Sequence, residues 1–354
     1  MTNFGWFHSI ITEKSKKFAQ EALSYDQLTH GVHTKRLEEE LSQILNVPYC
    51  VYTNSGTSAL SIALIAAGAS SNSKVATSGI GWIATPQAIQ LTGAVPHIID
   101  VMRDKPLIDL NLINKKFDII IPVNYNGRQV DLSDFVAKNP GVCIIEDCCK
   151  SLFSTDYTGT KYSGSNGRFG CFSLGMISLL PGVYGGVVTS PFVEDREKLL
   201  SIKWHGVSYD DSTESYNHRS FNFKSSNVHA AIALGMLEDF QSRLDRLRVI
   251  YSMYSEGLYG LENLRLLPVD LSMGEVPLLI DIISADRKLH INSLNNHDIP
   301  TCNYHKSLSY APGVVSQYLP NSEFFSSSVF HPPCGPDQDL KVIDRTIKIL
   351  RAFG

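Results

Sequence analysis

Short apolar runs alternate with segments of helical spacing through the first two thirds of the chain. The runs VPHIID (95–100), FDIIIPV (117–123) and VCIIEDC (142–148) are continuously apolar. That pattern is typical of parallel strands covered on both faces. Apolar residues at helical spacing occupy 56–69 and 82–93. Strands that alternate with helices predict an α/β fold, built on a mostly parallel sheet with right-handed crossovers.

A second region begins after a long helical stretch at 226–258. It predicts one strand and two helices, at 275–283, 286–299 and 340–353. We therefore expect a large α/β domain over 1–240 and a small C-terminal α/β domain over 241–354. The N-terminal segment is expected to pack on the small domain. The polar run SYDDSTESYNHRS (208–220) predicts a loop.

Composition and charge exclude several classes of protein. The 354 residues carry a net charge of −4 with no basic block, so a nucleic-acid surface is not expected. No apolar run approaches the roughly 18 residues of a membrane span, and the N-terminus lacks a signal-peptide pattern. Seven scattered cysteines do not resemble a disulfide framework, so a cytoplasmic location is expected. No HExxH, paired CxxC or GxSxG motif supports a zinc or hydrolase site.

The stretch TNSGTSALSIAL (53–64) leads a strand into a helix at Ser55, Gly56 and Thr57. Free N–H groups and the positive end of a helix dipole favour phosphate at such a turn. Serine and threonine are also ordinary helix N-caps. A phosphate site and a simple cap therefore both remain open.

Two carboxylates, Glu146 and Asp147, lie at the end of the apolar strand in IIEDCCKS. Open α/β sheets bind ligands at the carboxyl ends of their strands. A buried Asp147 needs a cation or several hydrogen-bond donors, and a protonated ring nitrogen would serve. The alternative is a weak surface ion pair with Lys150.

The isolated histidines His205 and His305 are interpreted as structural.

Taken together, these stretches resemble the DegT/DnrJ/EryC1/StrS family of sugar aminotransferases over nearly the whole chain. TNSGTSAL is similar to the family's SGTxAL turn, IIEDCCKS to its EDxxQ/H element and GRFGCFSL to its GxxGxxFSF element. GWIATPQAI resembles its T[WF]xAT segment, and SFNFKSSNVHAAIAL resembles GxNYRMSELxAAIG. The resemblance implies the aspartate-aminotransferase fold (fold type I) and pyridoxal phosphate (PLP) as cofactor. It also implies nucleotide-linked sugar substrates, a role in polysaccharide biosynthesis, and a homodimer with shared active sites.

The same resemblance implies a set of cofactor-binding residues. They are Gly56, Thr57, Trp82, Asp147, Lys150, Ser173 and Asn222. In the family the aromatic residue stacks on the pyridine ring and the aspartate lies under the pyridine nitrogen. The serine binds the phosphate, and the asparagine reaches the phosphate of the neighbouring subunit.

The chain departs from the family at the catalytic lysine. Family members carry that lysine five residues beyond the serine of the FSF element, and the count from Ser173 reaches Ser178. The lysine bonds the cofactor and moves a proton during catalysis, and a serine hydroxyl does neither well. Lys150 stands where the family's Gln or His approaches the cofactor's phenolic oxygen, so it is a candidate surrogate base.

Three functions follow from these features. The first is a family member that binds or acts on a nucleotide-linked keto or amino sugar. It would use PLP or its aminated form, pyridoxamine phosphate (PMP), held non-covalently, with ordinary transamination impaired. The second is a PMP-dependent enzyme like the family's deoxysugar 3-dehydratases, which replace the lysine with histidine. The third is a non-catalytic relative that binds a sugar nucleotide or regulates a partner.

Overall fold

The structure is a computed structural model that describes residues 5–24, 28–156, 158–210 and 213–353. Its helices are α1 (Glu13–Leu23), α2 (Val32–Ile44), α3 (Gly56–Ala66), α4 (Ala84–Leu91), α5 (Ser133–Lys138), α6 (Val193–Lys203), α7 (Asn227–Leu237), α8 (Phe240–Gly257), α9 (Arg287–Asn295), α10 (Pro320–Ser328) and α11 (Leu340–Phe353). Its strands are β1 (Tyr49–Thr53), β2 (Lys74–Ser78), β3 (Val95–Ile99), β4 (Ile119–Ile121), β5 (Cys143–Asp147), β6 (Phe169–Ser173), β7 (Gly186–Ser190), β8 (Val207–Asp210), β9 (Thr213–Tyr216), β10 (Leu264–Leu266), β11 (Ile282–Ser284), β12 (Cys302–Asn303), β13 (Val315–Ser316) and β14 (Val329–His331).

The large sheet has the strand order β1-β7-β6-β5-β4-β2-β3-β13. Strands β6, β5, β4, β2, β3 and β13 run parallel to one another, whereas β7 is antiparallel to both β6 and β1. The apolar runs predicted as parallel strands are β3, β4 and β5. The prediction of a mixed α/β fold with a mostly parallel sheet is therefore confirmed.

Helices cover both faces of this sheet. Side chains alternate along a strand, so Val187 and Val188 of β7 belong to different apolar clusters. Val187 shares a cluster with residues of α7 and α8, and Val188 shares one with residues of α3. Helix α3 is buried at almost every position, which agrees with its apolar residues all round the helix.

A small antiparallel sheet, β10-β11-β14-β12, forms in the C-terminal region. The strand predicted at 275–283 is wrong in extent, because regular pairing begins only at Ile282. The long helix predicted at 226–258 is two helices, because Asp239 between them leaves the helical conformation. The predicted polar loop contains the β8–β9 hairpin, with residues 211 and 212 outside the described residues.

The N-terminal segment pairs with the C-terminal region, and the C-terminal region in turn pairs with the large sheet. Phe7 and Cys334 form a parallel β-bridge, and the His8 N–H donates to the Cys334 carbonyl (2.9 Å). Strand β13 pairs with β3, so the C-terminal region also adds an edge strand to the large sheet. Within the described ranges, no helix combines the length and the apolar character that a membrane crossing requires.

Candidate active site

The predicted phosphate turn lies at the N-terminus of α3, directly against the end of β6. The Ser55 hydroxyl caps the helix by accepting a hydrogen bond from the Ser58 N–H (3.1 Å). A Cβ atom added to Gly56 would lie 2.9 Å from Ser173 Cβ and 2.8 Å from Cys149 Sγ. Only glycine fits this contact. The fold therefore brings Gly56 at the start of α3 into contact with Ser173 at the end of β6, although the two residues are far apart in sequence.

Thr57 follows in the first turn of α3, where a helix leaves backbone N–H groups without intrahelical acceptors. Its side chain is partly buried. Gly186, from the start of β7, closes the turn from the other side, because a Cβ atom there would lie 2.2 Å from the Ser55 carbonyl oxygen. Tightly packed glycines and the first helical turn, where the Ser55 cap takes only the Ser58 N–H, form a cradle that suits a phosphate group.

Asp147 ends β5 and is only 5% exposed. Its Oδ2 accepts a hydrogen bond from Thr85 Oγ1 (2.7 Å), and its Oδ1 accepts one from the Cys149 N–H (3.1 Å). In the described part of the chain, no Lys, Arg or His nitrogen forms an ion pair with it. The alternative of an Asp147–Lys150 surface pair is therefore wrong. Two neutral donors leave this buried charge without a cation.

The neighbouring Glu146 has a different role, because successive strand residues point to opposite faces. Its carboxylate accepts hydrogen bonds from the N–H groups of Asn166 (2.7 Å), Gly167 (2.8 Å) and Gly164 (3.2 Å). Asn124 Nδ2 donates a further one (3.0 Å). Burial raises the pKa of Glu146, and these hydrogen bonds oppose the rise. Glu146 therefore anchors the 164–167 turn and is not available to a ligand.

Lys150 is half-buried and its amine turns toward position 178. The amine donates a hydrogen bond to the carbonyl oxygen of Ile177. Lys150 and Ser178 line one small crevice together with Cys149 and Leu179. Burial lowers the pKa of Lys150 to about 8, although electrostatic interactions with Cys149 and with the carboxylate of Asp147 partly offset this. More of this amine is therefore uncharged near neutral pH than in an ordinary lysine.

Ser178 itself is 1% exposed, and its hydroxyl donates to the carbonyl oxygen of Gly175 (2.7 Å). The hydroxyl proton is thus already engaged by the backbone of its own loop. Lys150 contributes an amine to the lining of this crevice, and its partner Ile177 is the residue before Ser178.

Trp82 is 60% exposed and precedes α4. Its ring centroid lies 5.1 Å from that of His305, at an interplanar angle of 55°. The interpretation of His305 as an isolated structural histidine missed this position. Sequence spacing could not reveal it, because the segment after β12 folds back onto the loop before α4. A hydrogen bond from the Leu308 N–H to the Gly79 carbonyl (2.8 Å) fixes that arrangement.

Asn222 is exposed and lies beside the phosphate turn of its own chain. Its carbonyl oxygen accepts a hydrogen bond from Asn54 Nδ2 (3.3 Å), and its Oδ1 accepts one from the Lys224 N–H (3.2 Å). The contact with a neighbouring subunit stays a prediction. His205 is also exposed and takes a positive φ of 66°.

These residues fit a pyridine cofactor with a phosphate group. The α3 cradle suits the phosphate, exposed Trp82 offers an aromatic plate, and buried Asp147 lacks the cation that a protonated pyridine nitrogen would provide. When bound, PLP or PMP would supply an electron sink for carbon chemistry next to an amine. Among the described residues, no group of three His, Cys, Asp or Glu side chains could hold a metal ion.

Comparison with known proteins identifies relatives of the whole chain. The model of the DegT/DnrJ/EryC1/StrS aminotransferase family matches residues 9–351. The aminotransferase PseC of Helicobacter pylori, involved in the biosynthesis of pseudoaminic acid, superposes with a TM-score of 0.89 at 22% identity, over 98% of each chain. A sugar aminotransferase of Streptococcus pneumoniae in its PMP form gives 0.88 at 21% identity, also over 98% of each chain.

A dehydratase has the same fold. The GDP-4-keto-6-deoxy-D-mannose-3-dehydratase of Escherichia coli, with bound hydrated PLP, gives a TM-score of 0.88 at 17% identity. The match covers 99% of this chain and 100% of the dehydratase. At these identities the likeness extends to the fold alone.

Proposed function

Because the chain belongs to the DegT/DnrJ/EryC1/StrS aminotransferase family, we propose that it binds PLP or PMP and acts on a nucleotide-linked keto or amino sugar. PMP is the resting form and is held non-covalently. Gly56, Thr57 and Ser173 would hold the phosphate, and Trp82 would cover the pyridine ring. Relatives of the same fold occur in a PMP form and with hydrated PLP.

The observation that carries this proposal is the buried carboxylate of Asp147. It accepts two hydrogen bonds from neutral donors and has no ion-pair partner among the described residues. A buried carboxylate of that kind is costly unless a cation joins it. A protonated pyridine nitrogen is such a cation, and Asp147 would hold that proton in place. A chain that had lost its cofactor would have no need for this arrangement.

Lys150 supplies the amine that Ser178 lacks. Its Nζ reaches the backbone next to Ser178, and its lowered pKa of about 8 gives an amine that can accept a proton near neutral pH. The carboxylate of Asp147 raises the pKa of Lys150 somewhat, although the two side chains form no ion pair. In this proposal the Lys150 amine would accept and return the proton that leaves the substrate carbon, as the lysine of the family does.

The first experiment is mass spectrometry of the protein after incubation with PLP and reduction with borohydride, with Lys150→Ala in parallel. We expect one covalent adduct, located at Lys150 and absent from the variant. PMP binding is measured by calorimetry in both proteins, and we expect it to survive in Lys150→Ala because Lys150 does not hold the phosphate. Adduct formation at several surface lysines would contradict the assigned role of Lys150.

A matched pair of carboxylate variants tests the pyridine site. Asp147→Asn removes the buried charge and should weaken PMP binding at least about tenfold, equal to about 1.4 kcal/mol. Asp134→Asn removes an exposed carboxylate, whose side chain is 97% accessible, and should leave binding unchanged. Tight PMP binding without an adduct would favour dehydratase-like chemistry. If neither PLP nor PMP binds, the non-catalytic alternative replaces this proposal.

We further propose a homodimer in which Asn222 contacts the phosphate bound by the partner, with a domain boundary near residue 240. Its support is the exposure of Asn222 beside the turn that carries Ser55. Mixing Asn222→Ala with Asp147→Asn should produce hybrid dimers with one intact site, so PMP binding partly returns. No recovery on mixing would contradict shared sites, and a monomer in sedimentation would exclude them.

A further inference from the structure

His305, in the C-terminal region, lies against the indole ring of Trp82. It follows β12, and the segment behind it is fixed to the large domain by the Leu308–Gly79 hydrogen bond. Its ring centroid lies 5.1 Å from that of Trp82 and 5.9 Å from that of Tyr125, which it meets edge-on at 89°. The ring of Tyr304 lies 6.3 Å away as well, so three aromatic neighbours fix the position of the imidazole.

The ring nitrogens of His305 form no hydrogen bond within the described residues, although the side chain is partly buried. Other histidines of the C-terminal region behave differently. His290 Nδ1 pairs with Ser284 Oγ (2.9 Å), His297 Nδ1 with the Ser293 carbonyl (2.7 Å), and His331 Nδ1 with the Ile280 carbonyl (3.0 Å). The His305 nitrogens are not among the fully buried unpaired polar atoms, so they remain accessible to solvent or to a ligand. An unpaired imidazole beside an exposed tryptophan indicates a place for a ligand.

The protonation state of the His305 imidazole indicates which ligand groups it can bind. Burial lowers the pKa of His305 to about 3, and the nearby charges of His331 and Lys150 lower it further, against the opposite effect of Asp281. The imidazole is therefore neutral at physiological pH and offers one donor and one acceptor. Such a pair suits hydroxyl and amine groups. A phosphate would instead favour a cation.

We propose that His305 is a further binding residue of this site and that its ring nitrogens hydrogen-bond the hydroxyl and amine substituents of the pyridine ring of bound PMP. This inference rests on the proposed function. It gives the C-terminal region a direct contact with the ligand, in addition to the residues that the large domain provides. The α3 cradle holds the phosphate, so His305 acts on the other end of the same molecule.

Two substitutions separate hydrogen bonding from ring packing. His305→Phe keeps an aromatic ring against Trp82 and removes both nitrogens, whereas His305→Asn keeps a donor and an acceptor and removes the ring. We expect PMP affinity, measured by calorimetry, to fall about tenfold in His305→Phe, equal to about 1.4 kcal/mol. His305→Asn should stay within about threefold of the unchanged protein.

The opposite order, with binding kept in His305→Phe and lost in His305→Asn, would overturn the inference and assign His305 to packing on Trp82. Equal weakening in both variants would overturn it as well. Inorganic phosphate, used as a competitor for the α3 cradle, should bind both variants equally well, and circular dichroism reports whether each variant is folded. If the unchanged protein binds no PMP, the proposed function fails too. If it binds PMP and His305→Phe binds equally well, only this inference fails.

Discussion

At the scale of single residues, Lys150 is the side chain whose charge state matters most. Its pKa falls from 10.5 to about 8, chiefly because of burial. Only the uncharged amine attacks a carbonyl. We therefore expect the yield of the borohydride-trapped PLP adduct at Lys150 to rise with pH, with a midpoint near pH 8. A midpoint at pH 10.5, the pKa of an ordinary lysine, would show that burial does not act on this amine.

The same pKa predicts how stability depends on pH. Between about pH 8 and pH 10.5 the folded protein binds fewer protons at Lys150 than the unfolded chain does. The stability of the unchanged protein, relative to Lys150→Met, must therefore rise with pH through that window. Thermal unfolding at pH 7 and at about pH 9.5 tests this. We expect Lys150→Met to be the more stable protein at pH 7 and its advantage to shrink at the higher pH.

Thr85 is predicted to support Asp147 through one hydrogen bond. Thr85 is fully buried, and its hydroxyl donates to Asp147 Oδ2 at 2.7 Å. Thr85→Val keeps the shape and removes the donor, so one side of a buried carboxylate loses its partner. Urea unfolding should show a loss of about 1.5–3 kcal/mol, the range for a hydrogen bond to a charged group. Thr85→Ser keeps the hydroxyl and should recover most of that loss.

At the scale of elements, the contact between α3 and β6 depends on Gly56. An added Cβ atom would lie within 3.0 Å of both Ser173 Cβ and Cys149 Sγ. Gly56→Ala should therefore push α3 away from β6, lower the free energy of unfolding by about 1–3 kcal/mol and weaken PMP binding. Gly141→Ala is the control, because a Cβ atom there meets nothing within 4 Å. Equal effects of the two substitutions would contradict the assigned role of Gly56.

Some elements could be predicted because their sequence pattern is local. Strands β3, β4 and β5 are continuously apolar, and the turn at Gly56 follows a strand and opens a helix. Other features depend on distant parts of the chain. Strand β7 pairs antiparallel with both β1 and β6, and no local pattern specifies that position. The direction of the Lys150 side chain depends on the loop that carries Ile177, so sequence spacing left an ion pair with Asp147 open.

At the scale of the whole molecule, a buried ion pair joins the two regions of the chain. Arg128 follows β4, and Asp281 immediately precedes β11 of the small sheet; both are about 1% exposed. Arg128 donates to Asp281 Oδ2 (2.7 Å) and to the carbonyl oxygens of Pro268 (2.8 Å) and Leu267 (3.0 Å). Burial raises the pKa of Asp281. The charge of Arg128 and the hydrogen bonds that Asp281 accepts from His331 and Asn126 outweigh that effect and lower the pKa to about 2.

Arg128→Met should lower the free energy of unfolding by about 3–5 kcal/mol at pH 7, because Asp281 stays buried without the Arg128 charge and, among the described residues, keeps only Asn126 Nδ2 (2.8 Å) and His331 Nδ1 (3.2 Å) beside it. In the unchanged protein the contribution of Asp281 is complete above pH 3.8 and is lost as pH falls toward about 2. The difference between the two proteins should therefore shrink in acid. Lys348→Met removes an exposed partner of Asp344 and should change stability by less than about 1 kcal/mol. If the two variants lost a similar free energy of unfolding, the buried Arg128–Asp281 pair would stabilise the protein no more than an exposed pair does.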